Sequence, residues 1–278
     1  MALRVGLIGD PVAHSLSPAF QQAALDALGI DARYARWHTA AADLPARFAA
    51  LRAPDVLGAN VTLPHKEAAF ALVDDVTARA AAARAVNTVV SRDGRLLGDN
   101  TDIPGFLAPL GERGLDLPAL DAVVLGAGGA ARGVVVALLQ RGCRSVTVAN
   151  RRPERAAALI ADLGAPPTAR PAPLGASLAP ALAAAGLLVN ATSIGWQGDS
   201  LPLDATLLRA LPPTALVYDL TYRETPLLRA AGALGLATLD GLRMLVCQGA
   251  ESLRAWTGRA APLDVMWSAA LAARDGHA

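Results

Sequence analysis

The chain has 278 residues, 53% of them hydrophobic and 18% charged, with a formal net charge of +1. That length holds one large or two modest cores, the composition is globular and not disordered, and the charge gives no broad basic field for nucleic acid. No run reaches the ~18 apolar residues of a membrane span, and MALRVGLIGD lacks the basic, apolar and small-residue zones of a signal peptide. Cys143 and Cys247 stand far apart without CxxC spacing, so metal and disulfide roles are disfavoured and a reducing cytoplasm suits them.

Val5–Ile8 reads as a strand, followed by a helix from Ser17-Pro18 to about Leu28, which Gly29 stops. Ser17 is expected as N-cap and Pro18 as the first helical residue. Strand Arg33–Trp37, helix Leu44–Leu51 and strand Val56–Val61 come next, then helical signal in His65–Val73 and Thr77–Arg84. Val86–Val90 is a strand, with a turn at Asp93-Gly94. Such alternation argues for βαβ units and a largely parallel sheet. A helix starts at Thr101–Asp102 and runs to about Gly111.

The pattern then restarts. Strand Ala122–Leu125, helix Ala130–Gly142, strand Ser145–Ala149 and helix Pro153–Leu163 lead to a Pro/Ala-rich loop, Ala165–Pro173. Helix Leu178–Ala185, strand Leu187–Asn190, helix Ala205–Leu211, strand Leu216–Leu220, helix Pro226–Leu234 and strand Ala237–Leu239 follow. Helices Met244–Trp256 and Leu263–Ala273 close the chain. Two successive α/β patterns, the second opening on a glycine-rich turn, imply two domains.

GANVTLPHK, from Gly58 to Lys66, ends a strand and starts a helix around Pro64. It gathers Asn60, Thr62, His65 and Lys66 at one point, and loops on rigid elements are where function concentrates. A lysine beside the apolar end of a strand can shed part of its hydration and take part in proton transfer. The bland alternative is a solvated lysine on a first helical turn headed by Pro64.

Gly126-Ala127-Gly128-Gly129-Ala130-Ala131 lies between strand and helix and matches G-x-G-x-x-A. Gly126 permits the tight turn, Gly128 lets backbone approach a pyrophosphate, and Ala131 allows close helix–strand packing. The helix N-terminus supplies N–H groups and positive dipole. Where a dinucleotide site for NAD carries an acid on the ribose, the next strand here ends in Asn150-Arg151-Arg152, with Arg155 a turn later. Guanidinium groups there can clamp a 2′-phosphate, which selects NADP over NAD. The structural alternative is a solvated helix start, where the dipole disfavours arginine.

Other polar residues stand out in the first domain. Ser15 and Ser17, at i and i+2 of an extended turn, can both donate to one carboxylate, or Ser17 can simply cap the helix. Asn87 interrupts an apolar strand and needs partners for its amide. Asp102 at a helix start has N-capping as its default role.

The ordered set HSLSP, GANVTLPHK, AVNT, GDNTDIPGF, LGAGGAARG, NRRPER, NATSIG, YDLTY…TPLL and DGLRMLVCQGA resembles the shikimate dehydrogenase family over nearly the whole chain. The resemblance implies two α/β domains flanking a cleft. Residues 1–101 with 241–278 would form a mixed or parallel-sheet substrate domain, completed by the returning C-terminal helices, and residues 102–240 a Rossmann-like NADP domain. It implies reversible NADPH-dependent reduction of 3-dehydroshikimate to shikimate, on the route to chorismate and the aromatic amino acids. By motif, Lys66 and Asp102 resemble the catalytic pair. Ser15, Ser17 and Tyr222 resemble the carboxylate readers, and Asn60, Thr62, Asn87, Asp102 and Gln248 the residues holding the ring hydroxyls. Asn150, Arg151, Arg152 and Arg155 resemble the adenosine-phosphate site. Thr192, Ser193, Leu220, Gly241 and Met244 resemble residues along the diphosphate and nicotinamide.

Three departures stand out. Gln21-Gln22 follows HSLSP in place of a common His-Asn pair, Arg152 stands where threonine is frequent, and Arg243 replaces a frequent glycine. The last bears on cofactor closure or substrate shape. A quinate or aminoshikimate dehydrogenase is the alternative enzyme, and a non-catalytic NADP(H) or shikimate sensor the alternative of another class. The expected partners are the small-molecule substrate and cofactor alone, with a monomer or a homodimer equally compatible.

Overall fold

The computed structural model describes residues 2–196 and 198–276. In chain order the first elements are β1 (Leu3–Gly9), α1 (Ser17–Ala27), β2 (Ala32–His38), α2 (Leu44–Ala50), β3 (Val56–Val61), α3 (Lys66–Phe70), β4 (Asp75–Val76), α4 (Ala78–Ala83), β5 (Thr88–Arg92), β6 (Arg95–Asp99) and α5 (Asp102–Glu112). Then come β7 (Asp121–Leu125), α6 (Gly129–Gln140), β8 (Ser145–Asn150), α7 (Pro153–Asp162), β9 (Ala169–Pro173), α8 (Ala179–Ala184), β10 (Ala185–Asn190), β11 (Leu216–Asp219), α9 (Pro226–Ala233), β12 (Ala237–Leu239), α10 (Leu242–Thr257) and α11 (Leu263–Asp275). The chain separates into two units, Met1–Phe106 with Leu245–Ala278, and Leu107–Met244.

The first unit is built on a sheet ordered β2-β1-β3-β5-β6-β4. Strand β1 pairs parallel with β2 and β3, whereas β5 runs antiparallel to β3 and β6. The reversal is made by Asp93-Gly94, both at positive φ, the two-residue turn whose twist matches a hairpin. One face of the sheet carries a core of Ile8, Val61, Val86 and Val89 with Leu44, Phe48 and Leu51, and α1 packs against α11.

The second unit has six parallel strands in the order β12-β11-β10-β7-β8-β9. Strand β7 starts the sheet and β10 lies on its other side, so the order reverses between them, the place where such sheets bind ligands at their carboxyl ends. Ala122–Leu125 and Leu187–Val189 are almost wholly buried, the continuous apolar run of a strand covered on both faces.

Several local expectations are corrected. Residues 165–173, read as a loop, contain β9, whose Pro171 and Pro173 are tolerated because β9 is the sheet's edge. Residues 205–210 form a 3₁₀ helix, with Asp204 accepting from Thr206 N. The strand expected from Val86 begins at Thr88, leaving Asn87 just outside it. Helix α1 begins at Ser17, with Leu16 at the N-cap and no side-chain cap. Leu16 is helical in backbone, so Ser15 and Ser17 share a turn instead of an extended stretch.

Candidate active site and nucleotide-binding loop

Strand β3 ends at Val61, and the chain turns through Thr62–His65, where the Leu63-Pro64 bond is cis, before α3 starts at Lys66. Buried His65 holds this turn by hydrogen bonding through Nε2 to the Thr39 carbonyl at 2.7 Å. The Lys66 carbonyl accepts from Val86 N at 2.8 Å, which fixes the helix start beside the Asn87 segment. Lys66 Nζ then donates to Asp102 Oδ2 at 2.6 Å, with side chains only 16% and 7% exposed. This lysine is not on a solvated turn, and the Asp102 carboxylate is turned to side chains, not to its own helix N-terminus.

Asn87 completes the pair. Its Nδ2 donates to Asp102 Oδ1 at 2.7 Å, and its Oδ1 accepts from Thr101 N at 2.7 Å. Both carboxylate oxygens of Asp102 are therefore engaged, leaving the Lys66 ammonium, a three-proton donor, with capacity for a further oxygen. Gln248, on α10, approaches Asn87 Nδ2 at 3.4 Å through Oε1 and donates to the Leu245 carbonyl at 2.7 Å. Asn60 is held from several sides. Its Nδ2 donates to Ser252 Oγ at 2.8 Å and reaches the Asn87 carbonyl at 3.3 Å, while its Oδ1 accepts from the Tyr34 phenol at 2.9 Å.

Behind these residues three hydroxyls, Thr88, Thr101 and Ser252, lie 2.8–3.1 Å from one another and are fully buried. Ser252 donates to the Gln248 carbonyl at 3.0 Å, one turn back on α10, so its oxygen is left to accept from the others. A buried network of this kind is costly unless each group is satisfied. Sequence reasoning does not single out Tyr34, Thr88, Thr101 or Ser252. The available signals were a polar residue amid buried strand positions and the i, i+4 spacing of Gln248 and Ser252, which puts both on one helix face.

Ser15 and Ser17 sit on the turn before α1, where Ser15 Oγ accepts from Ser17 N at 3.2 Å. Ser17 is buried and Ser15 half-buried. Thr62 is half-buried on the turn after β3. Tyr222 belongs to the second unit, where its ring meets Trp196 edge-on at 4.8 Å between centroids.

In that unit, β7 leads directly into the glycine loop. Gly126 has φ 111° and donates through N to the Ala149 carbonyl at 2.8 Å. A Cβ at Gly126 would lie 3.1 Å from the Ala191 carbonyl oxygen, so only glycine fits both the dihedral and the space. Gly128 is the N-cap of α6, and a Cβ there would stand in open space, which leaves the first-turn N–H groups of Gly129, Ala130 and Ala131 approachable. Ala131 is fully buried. These are the features that a pyrophosphate requires, and the residues present fit a dinucleotide.

Strand β8 delivers Asn150, whose Oδ1 accepts from Arg152 N at 2.9 Å. Arg151, Arg152 and Arg155 are exposed around the start of α7, and among the described residues no ion pair or hydrogen bond joins their guanidinium groups to the protein. Three cations beside a helix N-terminus repel one another and the dipole, an arrangement that a bound anion relieves. After β10, Thr192 N and Oγ1 both reach Asn190 Oδ1, at 3.1 and 2.7 Å, and Ser193 follows exposed. Asn190 Nδ2 and the Thr225 hydroxyl in turn donate to buried Asp219, at 3.0 and 2.8 Å, tying together the ends of β10 and β11. Gly241 lies so close to Leu220 that a Cβ would come within 1.9 Å of the Leu220 carbonyl oxygen. Met244 is buried on the first turn of α10. Arg243 is paired with Glu112, Nη2 to Oε1 at 2.6 Å, so its charge is compensated within the unit.

Comparison with known proteins agrees across the chain. Family profiles match in three places: a shikimate dehydrogenase substrate binding domain at residues 7–89, a shikimate / quinate 5-dehydrogenase at 110–194, and a shikimate 5'-dehydrogenase C-terminal domain at 241–271. Shikimate dehydrogenase (NADP(+)) of Symbiobacterium thermophilum is 48% identical, over 98% of this chain and 95% of its own length. The Rhodospirillum rubrum protein of the same name is 49% identical over 93% of each. Among solved structures, shikimate 5-dehydrogenase from Thermus thermophilus, in complex with NADP(H) and shikimate, is 44% identical with a TM-score of 0.86, covering 98% of this chain and 99% of that one.

Proposed function

Since this chain belongs to the shikimate dehydrogenase family, we propose that it catalyses the reversible NADPH-dependent reduction of 3-dehydroshikimate to shikimate, a step of aromatic amino-acid biosynthesis. The observation that carries the reading is the Lys66–Asp102 pair, 2.6 Å apart and held by Asn87. Reduction of a ketone develops negative charge on its oxygen, which needs a positioned proton donor and a compensating charge. Lys66 Nζ provides both. Asp102 orients that ammonium, and Asn87 keeps the carboxylate fixed while it does so.

The cofactor, when bound, supplies or accepts the hydride at the carbonyl carbon. Gly126–Ala131 hold its pyrophosphate on the α6 N-terminus, while Asn150, Arg151, Arg152 and Arg155 hold the adenosine 2′-phosphate. Thr192, Ser193, Leu220, Gly241 and Met244 line the remainder. On the substrate side Ser15 and Ser17 donate to the carboxylate, an assignment extended to Tyr222 by the family resemblance. Thr62, Asn87, Asp102 and Gln248 hold the ring hydroxyls, joined by Asn60, whose amide already has protein partners on both sides. In this reading the protein acts in the cytoplasm as a monomer or homodimer. In support of that location, Cys143 and Cys247 are both free thiols.

The test is formation of reduced nicotinamide from NADP by the purified protein with shikimate, and separately with quinate. Shikimate-dependent formation several-fold faster than with quinate is expected. Preference for quinate would move the protein to the alternative enzyme, and binding of shikimate without turnover would make it a sensor.

A further inference from the structure

Two residues of β2 reach groups assigned to the substrate, Tyr34 the Asn60 side chain and Arg36 the serine turn, and neither has a role in the reaction described above. We propose that Tyr34 and Arg36 are positioning residues for substrate recognition, Tyr34 holding the side chain of Asn60 and Arg36 the backbone of Ser15. The inference deepens the proposed function and rests on its assignment of Asn60 and Ser15.

The two positions are i and i+2 of one strand and so face the same side of the sheet. Arg36 Nη2 donates to the Ser15 carbonyl at 2.9 Å. Its guanidinium is exposed, so it fixes the turn while leaving positive charge in solvent beside the serines, where an incoming carboxylate feels it.

Tyr34 is buried, and its phenol is fully committed. Asn60 Nδ2 faces the Asn87 carbonyl and Ser252, so the oxygen of the same amide faces Tyr34 and can only accept. The proton shared at 2.9 Å therefore belongs to Tyr34, and the phenol oxygen is left to accept. Burial pushes the phenol far above its ordinary range, while the Ser17 hydroxyl and, less strongly, the Arg36 charge work against that rise. Tyr34 stays neutral, which excludes acid–base work and leaves orientation of Asn60.

Strand β2 is itself immobilised at this point. Tyr34 N donates to Gln22 Oε1 at 2.9 Å, Gln22 Nε2 donates to the Ala32 carbonyl at 3.1 Å, and the opposite edge pairs with β1. Gln22, a departure from the family pattern, thus acts as a short surrogate strand on the sheet edge. The Tyr34 ring is also set against Trp256, at 6.2 Å between centroids. Phenylalanine would fill that space equally well, so the hydroxyl alone carries the link to Asn60.

The experiment is steady-state kinetics of the full-length protein with shikimate and NADP, for wild type, Tyr34→Phe, Arg36→Gln, Asn60→Ala and the Tyr34→Phe/Asn60→Ala double variant. Loss of one hydrogen bond of ordinary strength should raise the shikimate KM about three- to tenfold in each of Tyr34→Phe and Arg36→Gln, with kcat within about threefold and the NADP KM unchanged. The double variant should show less than the product of its single effects, because Tyr34 acts through Asn60. A shikimate KM within about twofold of wild type in both single variants, or multiplicative behaviour in the cycle, overturns the inference. A purely structural role would lower the melting temperature and leave the KM untouched, which overturns it equally. Arg36→Gln changes an exposed side chain and keeps the test decisive even if Tyr34→Phe folds poorly. Wild type inert towards shikimate removes the functional reading and this inference together, whereas active wild type with unaltered variants removes this inference alone.

Discussion

The polar site of the first unit and the cation cluster of the second solve recognition in opposite ways. Around Lys66 and Asp102 nearly every polar atom is already hydrogen-bonded to protein, through Asn87, Asn60, Tyr34 and three fully buried hydroxyls. Around Arg151, Arg152 and Arg155 the guanidinium groups are exposed, at the start of a helix whose dipole disfavours them. The first arrangement fixes geometry in advance, which chemistry on a developing charge requires. The second leaves cation donors to be satisfied by a phosphate, which requires charge more than fixed geometry. Changes to the Lys66–Asp102 pair should therefore strike turnover, and changes to the cation cluster should strike cofactor affinity and choice.

The largest expected effect is at Lys66. Lys66→Met keeps most of the length and removes the charge, so kcat should fall about 10²–10⁴-fold while substrate affinity changes far less. Retention of most of the wild-type kcat would return Lys66 to an ordinary helix-start lysine. Asp102→Asn should also slow turnover, and the double variant should lose less than the product of the two, since the residues act as a unit. Smaller, and of a different kind, is Ser15→Ala. One lost donor should raise the substrate KM about three- to tenfold with kcat nearly unchanged. A collapse of kcat at constant KM would show that the serine turn belongs to the chemistry and not to binding.

The smallest effect sharpens the contrast by probing an ion pair of the first unit outside the catalytic pair. Asp99 is buried and forms two hydrogen bonds with Arg79 and one with Thr77. Burial pushes its carboxyl upward, but Arg79 and Thr77 outweigh this and hold it below the ordinary range. A depressed carboxylate stabilises the fold above its unfolded value, about pH 3.9, and that contribution is lost as pH falls through the folded value. Asp74, held at about 2 chiefly by Arg52, acts in the same direction. Thermal midpoints should therefore decline from about pH 4 towards pH 2. Asp99→Asn should cost about 1–3 kcal/mol at pH 7 and flatten that decline. An unchanged acid slope in the variant would place the titration elsewhere.

Much of the architecture was legible in the sequence because it rests on periodicity and punctuation. The alternation of strands and helices, the restart at Ala122 and the glycine loop gave the two-domain α/β class. What escaped has physical causes. Strand β9 was hidden by Pro171 and Pro173, which only an edge position tolerates. Strand β6 has just five residues and carries Gly98, so it offers little pattern. Helix capping by Ser17 failed because Leu16, already helical in backbone, takes the N-cap position, which puts Ser17 inside the first turn with its side chain buried. The motifs named the residues around Lys66 but not the scaffold behind them. Ser252 is separated by 192 positions from Asn60, which it bonds, and a serine on a helix carries no sequence signal of that role.

The central claim is that the exposed arginines choose the cofactor while the pre-ordered site of the first unit performs the chemistry, and one comparison tests it directly. Shikimate oxidation is followed with NADP and with NAD, for wild type and for Arg151→Ala/Arg155→Ala. Wild type should prefer NADP strongly. The double variant should bind NADP at least about tenfold more weakly, since charge-assisted bonds contribute about 1.5–3 kcal/mol each, and should keep its kcat with saturating cofactor and its rate with NAD. Equal use of the two cofactors by wild type, or a variant that loses kcat while its preference for NADP stays intact, would contradict the account.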